Sequence, residues 1–473
     1  MNLKKVLVSA VAGAAMMLSA FTGTSQALDV NIYGSSAQFL YWNAMMPNFL
    51  ASKGCTNIQQ AKETTNTFGI TNATCATYGG TVTVRVTSKA SFDGIESVMG
   101  NVDTNATPCP SSAIGYPGAT LAPYYRLFAD DQTPGGISWV SGGMGTVNSE
   151  RCFPVTLGAS DVGAQSFTQS SSGQKLGPFG GGAITRSFSG FNTPGTMHAY
   201  QPMVVPFGFF ANPSVQHAVD NSGNPVAWGS AQDNGTHPAI SNLSRIGALM
   251  IFGNQAYNWS DLGKDFKPQT IVACYRHAGS GTHATLNYAV MNPAWGSILP
   301  NAEITNATAQ TNGTNAVYFN DGSNDEVNCV TGGTKNGIEW DAQGAIGYCD
   351  SDQPTGLNGT TTPLQGTTGW SHLVQLTYNG ELPTRVNIRN GRYDFWTNEW
   401  LYYNTASTWY TPAATFIGDL MTYAAQPSTI PTASAWGQDK TGYWATQCEM
   451  TYEKATDQAY PSFVGATCTA PLP

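Results

Sequence analysis

Charge is scarce in this chain: only 10% of its residues are Asp, Glu, Lys or Arg. The 20 Lys and Arg are outnumbered by 29 Asp and Glu, giving a formal net charge of −9. Nucleic-acid binding needs a basic patch or stripe, which this composition does not supply. A negative chain also repels free anions, so an anion site has to be built locally. The six histidines, His198, His217, His237, His277, His283 and His372, show no metal-ligand spacing. There is no CxxC pair, no G-x-S-x-G elbow and no Walker loop. Zinc, dithiol-redox, esterase and P-loop chemistry are therefore not expected. With no nucleophile–base pair or metal cluster in sight, an enzyme, a cofactor and a bound metal are not expected.

Long apolar runs are also lacking, with one exception. Val6 to Ala20 follows the basic pair Lys4 and Lys5 and precedes Ser25-Gln26-Ala27, a small-x-small cleavage signature. This order predicts a secretory signal peptide over residues 1–27. No later apolar run reaches the roughly 18 residues a membrane span needs. No cysteine stands at the cleavage point to carry a lipid. The expected product is periplasmic or extracellular and does not span a membrane; losing Lys4 and Lys5 takes its net charge to −11. All 9 cysteines follow the signal, and in an oxidising compartment they read as disulfides with one left over. Sequence proximity pairs Cys55–Cys75, Cys109–Cys152, Cys329–Cys349 and Cys448–Cys468 and leaves Cys274. Spacing alone does not determine connectivity.

Strand-like runs at Asp29 to Tyr33, Thr81 to Thr87, Met203 to Phe210, Gln269 to Tyr275 and Ala345 to Tyr348 alternate with helix-like segments at Phe39 to Leu50, Asn242 to Phe252 and Thr282 to Met291. That alternation predicts an α/β fold with mostly parallel sheets flanked by helices. The length allows two lobes. Residues 101–155 and 164–195, rich in Gly, Pro and Ser, read as loops added to the frame, and 351–369 as a Gly/Thr-rich link. The aromatic tail from Tyr393 through Trp409 is expected to pack into a core. Asp321, Asp325 and Glu326 read as a solvated turn, without the full pattern of a calcium loop.

The segment Arg276-His277-Ala278-Gly279-Ser280-Gly281-Thr282 lies between a strand and a helix. Glycines let backbone approach a ligand, and the first N–H groups of a helix have no internal partner. Those donors suit an anion, and Arg276 adds a planar guanidinium fork. A plain Gly-rich turn with a Ser/Thr cap explains the same residues equally well. Asp161, in Gly158-Ala159-Ser160-Asp161, gains meaning only beside such a site. A carboxylate repels a fully ionised oxyanion and accepts from one that keeps a proton, as phosphate does at neutral pH and sulfate does not. Taken alone, it reads as a turn or cap residue.

Several segments, in order, resemble the phosphate-binding proteins of ABC importers, members of the type II periplasmic binding-protein class. They are Gly34-Ser35-Ser36-Ala37-Gln38-Phe39, Thr87-Ser88-Lys89-Ala90-Ser91, Gly158-Ala159-Ser160-Asp161, Ile251 to Leu262, Arg276 to Thr282, and Gly344-Ala345-Ile346-Gly347-Tyr348. The resemblance implies a two-lobed fold with the ligand cleft between the lobes. Lobe one would cover 28–205 with its insertion at about 101–155, lobe two 206–350, and residues 351–473 would return to lobe one and form the tail. Hinge crossings would lie near Gln201 to Phe207 and just after Tyr348. It implies oxyanion binding by Gln38, Phe39, Ser88 and Asp161 from one lobe and by Arg276, Ser280, Gly281 and Thr282 from the other. The partners would be inorganic phosphate or a similar oxyanion and an ABC permease, with the protein acting as a monomer. Three departures stand out: Gln38 where the family often has Thr, Ala278 where it often has Asp, and an unusually long stretch between Ser88 and Asp161. That insertion, the low charge and the disulfides also fit an extracellular structural or adhesion protein that keeps the binding-protein fold.

Overall fold

The structure, a computed structural model, describes residues 27–100, 107–292, 298–351, 373–430 and 442–468. The expected signal peptide up to residue 26, the start of the 101–155 stretch, residues 352–369 of the link, and His372 lie outside the described residues.

In chain order, the elements that build the site begin with β1 (Leu28–Ser35) and α1 (Ser36–Ser52). Then come β2 (Thr56–Lys62), β3 (Phe68–Cys75), β4 (Gly80–Lys89), α2 (Ser91–Met99) and β5 (Leu157–Ser160). A second group follows: β6 (Met203–Ala211), α3 (Arg245–Phe252), β7 (Val272–Arg276), α4 (Gly281–Thr285), β8 (Ala316–Asn320), α5 (Ser323–Thr331), β9 (Ala345–Asp350) and β10 (Val374–Tyr378). The chain then runs through β11 (Trp396–Asn398), β12 (Trp400–Asn404) and α6 (Ala414–Ala424).

Two mixed sheets flanked by helices result, the α/β class read from the sequence. The first has nine strands in the order Met197–Tyr200, β12, β5, β1, β4, β3, β2, Met144–Val147, Ile137–Ser138. The second centres on β10, β6, β9, β7 and β8. Parallel pairing joins β1 to β4 and β5, and β7 to β8 and β9. These central strands are buried on both faces, as parallel strands covered by helices must be. Antiparallel strands extend both sheets outward.

The chain enters the second sheet at β6 and rejoins the first at β12, where Trp400 pairs with Ser160. The resemblance places that return just after Tyr348. Instead, β10 first adds itself to β6 in the second sheet. One apolar cluster runs through both sheets, and the aromatic tail enters it as expected through Tyr393, Phe395 and Trp396.

Both stretches read as loops carry structure. Within 107–155, Tyr125–Ala129 and Glu150–Pro154 form an antiparallel ladder tied by Cys109–Cys152. Arg126 from this ladder donates to Asp93 of α2 from Nε (2.9 Å) and Nη2 (2.6 Å), and both side chains are buried. Within 164–195, Ser170–Gln174 and Ala183–Ser187 form a hairpin, and Phe167, Phe188 and Phe191 pack on one another. A few Phe residues spaced among Gly and Ser are enough to seat it.

Three disulfides match the proximity pairing: Cys55–Cys75, Cys109–Cys152 and Cys448–Cys468. The fourth does not. Cys274 of β7 is bonded to Cys329 of α5, and Cys349 lies outside the four bridges. The reason is packing: α5 covers β7 and β9, bringing Cys329 to a Cα separation of 6.1 Å from Cys274 across 55 residues of sequence. No helix among the described residues is long and apolar enough to cross a membrane.

Candidate functional site

The site begins where β1 turns into α1. Gly34 has φ +134°, and a Cβ there would lie 2.1 Å from the Ala159 carbonyl oxygen of β5. Only glycine lets the two strands run this close and aim the next residues at the neighbouring strand end. Ser35 caps no N–H of α1; its hydroxyl is hydrogen-bonded to Asp161 Oδ1. The first N–H groups of this 17-residue helix are left for other partners. Gln38 turns inward: its Nε2 donates to the carbonyls of Ser160 (3.0 Å) and Trp400 (3.4 Å), and its Oε1 accepts from Trp42 Nε1 (2.9 Å). The larger amide thus braces two strand ends instead of entering the cleft.

Asp161 follows β5 and is 2% exposed. Ser91, the first residue of α2, donates to Asp161 Oδ2 (3.1 Å) and lies 3.3 Å from the Asp161 backbone N–H, which donates to it. Burial pushes the Asp161 carboxyl above its ordinary range, while the bonds from Ser35 and Ser91, the field of Arg276 and a bond with Glu399 pull it down. Ser91 is the hydroxyl the sequence reading missed; it closes the quoted Thr87–Ser91 segment but begins a helix. Ser88 is held by its own N–H on the Thr67 carbonyl (2.9 Å) and lines the cleft.

From the second sheet comes Arg276, at the end of β7 and 2% exposed. Its Nη1 donates to Ser323 Oγ (2.7 Å) and its Nη2 to the Asp321 carbonyl (3.2 Å), while its own N–H donates to Tyr348 OH (3.2 Å). Its Nε has no hydrogen-bond partner among the described residues. Tyr348 OH in turn lies 2.7 Å from His283 Nδ1. Burial, then the charges of Arg276 and Arg186, hold His277 well below its ordinary range, so its ring is neutral at pH 7. Glu326 is fully buried in α5, unlike the solvated turn expected for it; its Oε1 accepts from the Tyr348 N–H (3.0 Å), and burial pushes its carboxyl up to about 8. Asp325 and Asp321 pair with Lys335 and Lys175, and all four side chains line the same cleft.

The two sides meet directly. Phe92 N–H donates to the Gly279 carbonyl (3.2 Å), and a Cβ on Gly281 would lie 2.5 Å from Ser91 Oγ and 2.6 Å from Asp161 Oδ2. Above this contact remains a polar cleft of about 530 Å3. Phe39, Ser88 and Arg276 line it, with Ser36, Lys89 and Arg186. Gln38, Asp161, Ser280, Gly281 and Thr282 are buried behind its walls. The sequence-predicted residues therefore fall into two touching groups, one on the cleft and one beneath it. Ser36 Oγ is 3.4 Å from Ser323 Oγ, so the N-termini of α1 and α5 converge beside Arg276. No group of three His, Cys, Asp or Glu side chains among the described residues is placed to hold a metal ion.

No family model and no curated protein matches the chain. Among solved structures, it is similar over 87% of its length to a protein of Clostridium perfringens assigned as a phosphate ABC transporter substrate-binding protein, with 12% identity, 98% of that chain covered and a TM-score of 0.41. It is also similar over 87% of its length to an ABC-type phosphate transport receptor of Vibrio cholerae (12% identity, 99% of that chain, TM-score 0.37). A high-affinity periplasmic phosphate-binding protein bound with phosphate gives 13% identity, 90% of that chain and a TM-score of 0.40, again over 87% of this chain. These are likenesses of chain course at low identity. The chemistry of the site stands on its own residues.

Proposed function

We propose that the chain is an extracytoplasmic solute-binding protein that closes two lobes, one on each sheet, around phosphate or a related tetrahedral oxyanion and delivers it to an ABC importer. The observation that carries this reading is Arg276: a buried guanidinium on the cleft wall, with an Nε that has no partner among the described residues, beside the converging N-termini of α1 and α5. Helix N-termini and a guanidinium fork favour an oxyanion in a chain that is otherwise negative. The backbone N–H groups at Gln38 and Phe39, together with Ser88, supply neutral donors on the other wall. Asp161, buried behind this wall and bonded by the Ser35 and Ser91 hydroxyls, is the acceptor in this reading for an oxyanion that keeps a proton. Ser280, Gly281 and Thr282 close against that group from the second lobe. The four disulfides suit an oxidising compartment. Titration calorimetry on ligand-stripped protein with phosphate, arsenate and sulfate tests the reading; the absence of heat with all three sinks it.

The size of the cleft favours a second reading at the same site. A four-oxygen anion of five heavy atoms fills roughly 150 Å3, at about 30 Å3 for each water-sized atom. The cleft holds about 530 Å3 although the two sides already touch beneath it. A phosphate ester with a hydroxylated organic group fits this space, with Lys89 and Arg186 on the walls. Adding glycerol phosphate to the titration separates the two: tighter binding than inorganic phosphate supports the ester.

A further inference from the structure

Arg186 puts a second guanidinium on the cleft wall. It comes from the hairpin of Ser170–Gln174 and Ala183–Ser187, where it stands opposite Ser171. This hairpin follows β5 in the chain but is fastened around the turn after β7. Ser171 Oγ accepts from the Ala278 N–H (2.9 Å), and the Asp321 N–H donates to the Lys175 carbonyl (2.8 Å). The Gln174 N–H donates to Glu303 Oε2 (2.8 Å). Phe188, just past the hairpin, packs on Phe92 of α2 with ring centroids 5.2 Å apart. Polar bonds on one side and a ring contact on the other thus hold Arg186 on the same cleft as Arg276.

The protein makes little use of this guanidinium. Its Cζ lies 5.5 Å from the centre of the Phe92 ring, and Nη1 donates to the adjacent Thr185 carbonyl (3.3 Å). Its Nε is out of water and has no hydrogen-bond partner among the described residues. Three carboxylates of the cleft are engaged elsewhere: Asp321 with Lys175, Asp325 with Lys335, and Asp93 with Arg126. Lys89, Arg186 and Arg276 line the cleft without an ion pair among the described residues, against one further carboxylate, Asp350. Arg186 and Arg276 do not form a single fork. The packing that links them runs through two rings that also line the cleft. Phe92 lies under Arg186, and His277, next to Arg276 in the chain, stands edge-on to Phe92 with centroids 6.1 Å apart.

We propose that Arg186 binds a second anionic group of the ligand, so that the site takes a small phosphate ester that also carries a carboxylate. This rests on the oxyanion reading above and narrows its ester form. Arg276 takes the phosphate beside the N-termini of α1 and α5, and the carbon chain crosses the Phe92 and His277 rings. The carboxylate then meets the Arg186 fork, with Lys89 as the third cation. Size and charge agree. At about 30 Å3 for each water-sized atom, 3-phosphoglycerate with its eleven heavy atoms fills roughly 330 Å3, and the cleft holds about 530 Å3. Its phosphate and carboxylate together carry about three negative charges at neutral pH, matching Lys89, Arg186 and Arg276.

The test is titration calorimetry on the full, ligand-stripped chain with inorganic phosphate, glycerol 3-phosphate and 3-phosphoglycerate at pH 7. The two esters share a three-carbon frame and differ at one end, a carboxylate in place of a hydroxymethyl group. The wild type should bind 3-phosphoglycerate tighter than glycerol 3-phosphate by about tenfold or more, the gain expected from charge-assisted hydrogen bonds at Arg186. In Arg186→Gln the two affinities should agree within about twofold, and Arg186→Lys should restore part of the difference. Equal affinity for the two esters in the wild type, or an unchanged ratio in Arg186→Gln, overturns the proposal. Nitrogen-15 NMR gives a second readout in the wild type. The Arg186 Nε–H resonance should shift with 3-phosphoglycerate and stay with glycerol 3-phosphate; a resonance that 3-phosphoglycerate leaves in place refutes the assignment. Phosphate binding without any gain from the carboxylate removes this proposal alone. No heat with any of the three ligands removes the functional reading along with it.

Discussion

Gly281 lies against Asp161 so closely that a methyl group in place of its hydrogen would stand 2.6 Å from the Asp161 Cβ. The two residues come from opposite sides of the cleft, so this contact exists only when the sides are together. Gly281→Ala is expected to oppose closure. Overpacking of this kind costs about 1–3 kcal/mol, or roughly ten- to hundredfold in oxyanion affinity. Titration calorimetry reads the loss, and small-angle scattering should show a more open particle. Unchanged affinity would mean that this contact is not part of the bound form.

Arg276→Ala should weaken oxyanion binding by about hundredfold or more, since two or more charge-assisted hydrogen bonds are lost at roughly 1.5–3 kcal/mol each. Arg276→Lys should recover only part of this, because a point charge cannot copy the fork. A variant that binds as tightly as the wild type would remove Arg276 from the site.

The ladder inserted before Asp161 is anchored by the buried Arg126–Asp93 pair. Removing one partner leaves a buried charge alone, at a cost of about 3–5 kcal/mol. Arg126→Met should therefore lower the unfolding free energy from denaturant titration by an amount near that range, whereas the exposed pair Arg392–Glu381 should contribute within about 1 kcal/mol.

Stability should depend on pH through Glu326 and His283. The folded Glu326 carboxyl is raised to about 8 by burial, above its ordinary 4.5. The folded state therefore binds more protons than the unfolded state between these values, so this group's contribution is intact below pH 4.5 and is lost as the pH rises to 8. Glu326→Gln keeps the Tyr348 N–H partner and should flatten the loss, gaining on the order of a few kcal/mol over the wild type at pH 8. His283 acts in the opposite sense: burial lowers it to about 3, so its contribution is intact above pH 6.5 and falls as the pH drops to 3. Denaturant unfolding at pH 5, 6.5 and 8 checks both signs.

Cys349→Ser should leave four disulfides by mass spectrometry, and Cys274→Ser three, with a loss of about 2–5 kcal/mol. A bridge between Cys329 and Cys349 in the wild type would contradict the packing of α5 on β7.

What the sequence determined by itself is local. The strands at Asp29, Thr81, Met203 and Ala345, the helix after Gly34, the glycine turn after Arg276 and the α/β class all depend on residues a few positions apart, whose spacing and backbone freedom can be read directly. Three near-neighbour disulfides belong to the same class. Tertiary structure decided everything that depends on which strand ends lie side by side. The pairing of β12 with β5 turns Gln38 into a brace, sets Glu399 beside Asp161 and makes Ser91 a partner of that carboxyl. The packing of α5 over β7 joins Cys274 to Cys329 and buries Glu326, although its neighbours Asp321 and Asp325 stand on the cleft. No local pattern marks such contacts, because their partners are as far apart as 362 residues and are selected by the shared burial of two faces.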